Sequence, residues 1–205
     1  MRVLEVGSRV VTGANFRSRF SNANYVGFDF YPGDNVDVVG DAHKLSSYFG
    51  PDERFDLIFS SAVFEHLAMP WVVAEEIAKL LKVGGHVFVE THFSYVAHER
   101  PWNFFQFSEM GLRSLFNRGL GFDLVDYGMS NPMSGYFSKR AAPGLRFNPV
   151  RELYCHSEIL CMKREDVTDF KWSTANMDDL VDGTRYPPPG SSTRSRASTA
   201  SRVSG

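Results

Sequence analysis

The chain has 205 residues and a 43% hydrophobic share, and its 22 basic side chains face 24 acidic ones for a formal charge of −2. That size supports one domain with its own core, and no apolar run approaches the ~20 residues needed to span a bilayer. The N-terminal Met-Arg-Val-Leu-Glu-Val-Gly lacks the apolar stretch and cleavage site of a secretory signal.

In chain order, Val3-Leu4-Glu5-Val6 gives way to Gly7, and Tyr25-Val26-Gly27-Phe28 to Asp29. Val36-Asp37-Val38-Val39 then gives way to Gly40-Asp41, Phe55-Asp56-Leu57-Ile58-Phe59 to Ser60-Ser61, and His86-Val87-Phe88-Val89 to Glu90-Thr91. Each is a strand-length run ending on Gly or a polar residue. Repeated strand–helix–strand units predict an α/β fold, a parallel sheet with helices on both faces. Right-handed crossovers place all those polar ends on one edge.

A helix is predicted from Pro70, since proline suits a first helical turn. Val73, Ile77, Leu80 and Leu81 recur at helical spacing, Glu75 and Lys79 form an i,i+4 pair, and Gly84-Gly85 ends the helix. A second is predicted after Ser108 as N-cap, with Leu112, Leu115 and Phe116 inward and Gly119 ending it. Phe122 to Tyr127 and Glu158 to Met162 read as a final pair of strands, separated by a long loop over 128–156. Cys155 and Cys161 lie an even distance apart, on one face of a strand but too far to bond. Two such cysteines outside any zinc-type cluster suit a reduced, cytoplasmic protein. From 186 the Pro/Ser/Arg-rich composition predicts a disordered tail. Gly190 to Gly205 holds Arg194, Arg196 and Arg202 and no acid, which leaves 19 basic and 24 acidic residues over 1–189. An acidic domain argues against duplex DNA, whose binding rests on Lys and Arg.

The turn after the first run, Gly7-Ser8 to Gly13, fits neither the dinucleotide GxGxxG nor the phosphate-cradling GxxxxGK[ST] pattern. A nicotinamide-dependent oxidoreductase is therefore disfavoured. Asp29 stands 22 residues beyond Gly7, where a carboxylate can accept from a ribose diol. Asp41, in Gly40-Asp41-Ala42-His43, can accept from an adenine amino group. Either acid alone would read as a cap or turn residue. Two at successive strand ends point to a nucleoside ligand.

In this order, Leu4-Glu5-Val6-Gly7-Ser8, Gly27-Phe28-Asp29, Gly40-Asp41-Ala42-His43, Phe55 to Ser61, Glu65-His66-Leu67 and Leu81-Lys82-Val83-Gly84-Gly85 resemble a class I S-adenosylmethionine-dependent methyltransferase, more narrowly the type 11 domain. The resemblance spans about residues 2–127. It implies a Rossmann-like three-layer sandwich on a mostly parallel seven-stranded sheet with an antiparallel last strand, with residues 1–185 as the domain and 186–205 as the tail. It implies that Glu5 contacts the methionine amino group or organises the loop around it, with Gly7 and Ser8 close to the methionine and ribose. Asp29, followed by Phe30, would bind the ribose hydroxyls, Asp41, Ala42 and His43 would frame the adenine, and Ser60 and Ser61 would lie beside the sulfonium. Against the family's usual Gly-x-Gly-x-Gly, Ser8-Arg9 follows the first glycine. The helices that commonly precede the first strand are missing too, which implies an open site, a covering partner chain or a truncated frame.

On the acceptor side, methyl transfer mainly needs alignment, and a hydroxyl acceptor also gains from a base. His66, His98 and Glu99 are the candidate bases, beside the aromatic-rich Pro101-Trp102-Asn103-Phe104-Phe105. Arg100 could pair an anionic acceptor. His92, His98 and Glu99 could also hold a divalent cation, although nothing in the spacing fixes their geometry, and no metal is expected. No [DN]-P-P-[YF] segment or Pro-Cys nucleophile is present. The expected acceptor is an oxygen or nitrogen of a small-molecule or glycan-type substrate. The alternative is a non-catalytic module that keeps the fold for partner binding or regulation.

Overall fold

The computed structural model describes residues 1–180; the predicted tail at 186–205 and the last few residues of the predicted 1–185 domain lie outside them. Seven strands form one sheet: β1 (Arg2–Val6), β2 (Asn24–Asp29), β3 (Val38–Val39), β4 (Phe55–Ser61), β5 (Leu81–His92), β6 (Phe122–Tyr136) and β7 (Pro149–Lys163). Their order is β3-β2-β1-β4-β5-β7-β6. The pairs from β3 to β5 are parallel, and β7 runs antiparallel to β5 on one side and β6 on the other. The α/β class, the mostly parallel sheet and its reversed last strand are as expected. The order changes direction between β1 and β4, so the ends of both strands open onto one crevice, where ligands of such sheets bind.

Alternation along the strands separates two faces. Leu4, Val6, Ile58, Val87 and Val89 join one buried core with Val73, Ile77 and Leu80 of α1 (Pro70–Leu80) and Leu112 and Leu115 of α2 (Glu109–Leu115). Each such side chain contributes about 1.5–3 kcal/mol when fully removed from water. The opposite face is thinly covered. Only a four-residue 3-10 helix, Arg17–Phe20, lies in the β1–β2 crossover, and its Phe20 stacks on Phe59 at 5.3 Å between ring centroids. Towards β7 this face leaves Leu57, Phe88, Leu160 and Met162 half-buried.

Several predicted boundaries move. The helix from Pro70 stops at Leu80, and Leu81 already belongs to β5, paired with Phe55. Lys79 bonds Glu76 at 2.5 Å rather than Glu75, because Glu76 turns inward to accept from the backbone and hydroxyl of Ser46. Ser108 caps α2, its hydroxyl accepting from the Gly111 amide at 3.1 Å. The left-handed residue that follows is Gly121 at φ 88°, not Gly119. The largest correction concerns 128–156. Most of this segment is no loop: it lengthens β6 and β7 into a hairpin of two 15-residue strands, leaving 137–148 as the connection. Pro132 lies on β6, an edge strand, the place in a sheet that tolerates proline. Cys155 and Cys161 share one buried face of β7 as free thiols. Among the described residues no helix is long and apolar enough to cross a membrane.

Candidate functional site

At the end of β1 the chain turns sharply. Gly7 adopts φ 87°, and a Cβ there would stand 2.1 Å from Val63 Cγ2, so only glycine lets the loop after β4 close over the turn. The amides of Gly7 and Ser8 both donate to the Phe28 carbonyl, at 2.8 and 3.0 Å, tying the turn to β2. Ser8 is buried and donates its hydroxyl to the Asn35 carbonyl at 3.0 Å.

Glu5 is 4% exposed, and Asn35 Nδ2 donates to its Oε2 at 3.1 Å. Burial pushes this carboxyl up to about 7, against the lowering influence of Asn35 and Arg17. Asp29, at the end of β2, accepts from the Arg9 amide on Oδ2 at 3.2 Å. Its Oδ1 accepts from Arg9 Nε at 3.3 Å and the Tyr31 amide at 3.0 Å. Phe30 points outward, edge-on to Tyr31 at 5.0 Å.

Asp41 caps the 3-10 helix Ala42–Tyr48, its Oδ1 accepting from the His43 amide at 3.0 Å and lying 2.7 Å from His43 Nδ1. Burial raises this carboxyl, but the two His43 contacts outweigh it and hold the group below the ordinary range. His43 Nε2 accepts from the Met69 amide at 3.2 Å, so Nδ1 carries the proton towards Asp41. Ala42 is buried beneath this cap. At the end of β4, Ser61 donates to Glu90 at 2.9 Å, whereas the buried Ser60 hydroxyl has no hydrogen-bond partner.

The three candidate bases come together beyond β4 and β5. His66 Nδ1 donates to the Trp102 carbonyl at 2.8 Å, and its Nε2 faces Glu99 at 3.6 Å. The His66 and His98 rings meet edge-on at 4.7 Å. Beneath them lies Glu65, fully buried, its Oε2 accepting from Thr91 Oγ1 at 2.6 Å. Its Oε1 stands 2.7 Å from His92 Nδ1. Burial pushes this carboxyl up, and the His92 ring and Thr91 hydroxyl outweigh it, so it stays below the ordinary range. The Glu65 carbonyl also accepts from the amides of Phe104 and Phe105, at 2.8 and 3.2 Å, pinning the aromatic segment over the site. Arg100 is exposed at the rim.

Sequence reasoning assigned no role to Glu65, Asn35 or His156. Asn35 adopts φ 72°, and its signal was available: a Gly33-Asp34-Asn35 turn ending on a residue that tolerates the left-handed region. The depth of Glu65 is a tertiary property with no local signature.

A family model described as a methyltransferase domain matches residues 1–125, more than half of the chain. No curated protein matches the chain in sequence. Among solved structures, the YcgJ protein from Bacillus subtilis is 16% identical, with a TM-score of 0.54 over 80% of this chain and 92% of that one. The 1,6-didemethyltoxoflavin-N1-methyltransferase of Burkholderia thailandensis, solved with 1,6-didemethyltoxoflavin and S-adenosylhomocysteine, is also 16% identical at a TM-score of 0.54, covering 80% of this chain and 71% of that one. A chain from the complex between the Haloferax volcanii Trm112 methyltransferase activator and a methyltransferase is 17% identical at a TM-score of 0.50, over 80% and 83%. At these identities the likeness is one of fold.

Proposed function

The chain belongs to the methyltransferase-domain family, and from that premise we propose that it is an S-adenosylmethionine-dependent methyltransferase acting on an oxygen or nitrogen of a small-molecule or glycan-type acceptor. The observation that carries the reading is a row of three acids, Glu5, Asp29 and Asp41, ending or following three adjacent strands around the Gly7 turn. Glu5 is the strongest member, because a carboxylate buried with one side-chain amide beside it is matched to an incoming ammonium group.

S-adenosylmethionine, when bound, supplies a methyl group activated by a sulfonium. This chain's residues hold and align. Glu5 would take the methionine amino group, and Gly7 and Ser8 would line its path. Asp29 would accept from the ribose hydroxyls through the lone pairs that Arg9 and Tyr31 leave. Asp41 would accept from the adenine through Oδ2, since His43 occupies Oδ1, while Phe30 and Ala42 flank the nucleoside. Ser60 and Ser61 would border the methyl position, where the unpaired Ser60 hydroxyl suits a polar ligand.

His66 is the best placed base. Its Nδ1 proton is committed to the Trp102 carbonyl, so Nε2 is the acceptor that would receive the acceptor hydroxyl's proton as the new bond to carbon forms. Glu99 would then stabilise the imidazolium. His98 packs against it and limits its rotation.

Calorimetry with S-adenosylhomocysteine tests the proposal, together with a mass measurement of ligand carried through purification. Binding is expected, and folded protein with no affinity would overturn it. A second reading, a non-catalytic module, is favoured by one observation: Arg9 already occupies much of Asp29. Binding without turnover across a broad acceptor panel would support that reading. The half-buried Leu57, Phe88, Leu160 and Met162 also suit a partner chain over the thin face, as an activator partners the haloarchaeal neighbour.

A further inference from the structure

Four of the six histidines in the chain lie in one group at the sheet edge. Ring centroids are 4.7 Å apart for His66 and His98, 5.1 Å for His92 and His98, and 5.0 Å for His92 and His156. A proton relay to one small acceptor needs one imidazole, so the base role assigned to His66 gives His98 only a packing role and leaves His92 and His156 unaccounted for.

The deepest pair in the group is unusual. Glu65 Oε1 and His92 Nδ1 are both buried and stand 2.7 Å apart, off the alignment of a good hydrogen bond. A charged contact at such depth is costly unless further groups satisfy it. Glu65, His92 and His98 each offer a ligand atom, and these atoms all lie within 4.8 Å of one another. His66 Nε2 is 3.8 Å from the same Glu65 oxygen.

We propose that Glu65, His92 and His98 form a binding site for a divalent transition-metal ion of the zinc type, with His66 at its rim. Two imidazoles and one carboxylate suit such an ion, whereas magnesium and calcium favour all-oxygen shells. Ligand bonds of about 2.0–2.2 Å are reached by small adjustments: the Glu65–His92 gap opens, and His98 moves inward. His98 can do so, because it lies half-buried on the loop after β5 and is not locked in the sheet. Its Nδ1 lies 3.0 Å from the Val96 carbonyl, which leaves Nε2 as the ligating nitrogen. Outer support is in place, since Thr91 holds Glu65 Oε2 and Tyr95 stacks on His92 at 4.5 Å. Three protein ligands leave a fourth coordination position, the arrangement of metal sites that also bind a substrate oxygen or nitrogen.

The site overlaps a second group, His92, Cys155 and His156, on the β7 side. There His156 Nδ1 is 2.9 Å from Asn131 Nδ2, which leaves its Nε2 to ligate. The Glu65 group is preferred because a carboxylate is ionised at neutral pH, whereas a cysteine must first lose its thiol proton.

The test is zinc and cobalt(II) uptake by chelator-treated full-length protein without cofactor, so its failure is separate from failure of the methyltransferase reading. One zinc per chain is expected by calorimetry and elemental analysis, and cobalt(II) should develop visible bands of low coordination symmetry. His98→Ala, in a loop where folding is readily confirmed by circular dichroism, should weaken zinc binding more than about tenfold, since even outer-shell losses reach that size. Cys155→Ser should bind as the parent does. No stoichiometric uptake by folded protein, unchanged uptake in His98→Ala, or loss confined to Cys155→Ser would each overturn the assignment.

Discussion

Arg9 embraces Asp29 from two sides, with its backbone amide on one carboxylate oxygen and its guanidinium Nε on the other. This pairing ties the first turn to the second strand, and it places an arginine where the family's turn carries small residues. A ribose diol bound as proposed would share Asp29 with it. Asp29→Ala is expected to weaken S-adenosylhomocysteine binding on the order of 10–100-fold, the size of hydrogen bonds to a charged acceptor. Arg9→Ala should bind at least as tightly as the parent, because it frees lone pairs. Calorimetry on both variants decides between competition and support: equal losses would mean that Arg9 and Asp29 act as one structural unit.

Glu5 gives a pH dependence of definite sign. Its folded-state value of about 7 lies above the ordinary 4.5, so the folded chain holds the extra proton between those values. Glu5's contribution to the stability of the free protein is therefore fully present below about 4.5 and is lost as pH rises through 7. Cofactor affinity should run the other way, rising from pH 6 to 8 as the carboxylate ionises to meet the ammonium. Glu5→Gln should flatten both trends, in thermal melts and in calorimetry. A parent-like pH profile in this variant would remove Glu5 from the site.

The Gly7 turn can be tested by paired substitution. Gly7→Ala places a Cβ into Val63 and forces an L-residue to φ 87°, a backbone cost of about 1–3 kcal/mol before the clash is counted. Val63→Ala removes the clash but not the strain, so the double variant should recover only part of the lost melting temperature. Full recovery would mean that the positive φ is not required.

Lys163 is 2% exposed and donates to the carbonyls of Ala78 and Leu81 at 2.6 and 2.8 Å, closing the C-terminal end of α1 from the sheet below. Asp166 sits 2.5 Å from the same ammonium group. Lys163→Met keeps the aliphatic packing but leaves both carbonyls unpaired, at a cost of about 2–3 kcal/mol in urea unfolding. An unchanged midpoint would show that water reaches those carbonyls.

The strands that carry the site were legible because each ends abruptly on a polar residue, and Pro70 and Ser108 mark their helices by elementary capping rules. The 128–156 segment was not legible. Its glycines, prolines and asparagines look like loop composition, and only the facing strand supplies the hydrogen bonds that extend β6 and β7. The three acids could be picked out, but Arg9 as their neighbour could not, since it depends on how the loop after β1 folds back on β2. Glu65 stands in the Glu65-His66-Leu67 segment of the resemblance, but its burial was not legible: nothing local distinguishes a buried glutamate from one capping an exposed helix.

The hairpin also dictates when the molecule becomes competent. β7 lies between β5 and β6, and His156 is registered opposite His92. Until residues 149–163 have been synthesised and have docked, β5 is the open border of the sheet and His92 lacks one wall of its surroundings. Such a pairing closes late, because contacts distant in sequence form only after their loop entropy has been met. A chain that stops short of the hairpin would keep Glu5, Asp29 and Asp41 on their strands while His92 lacked its neighbour on β7.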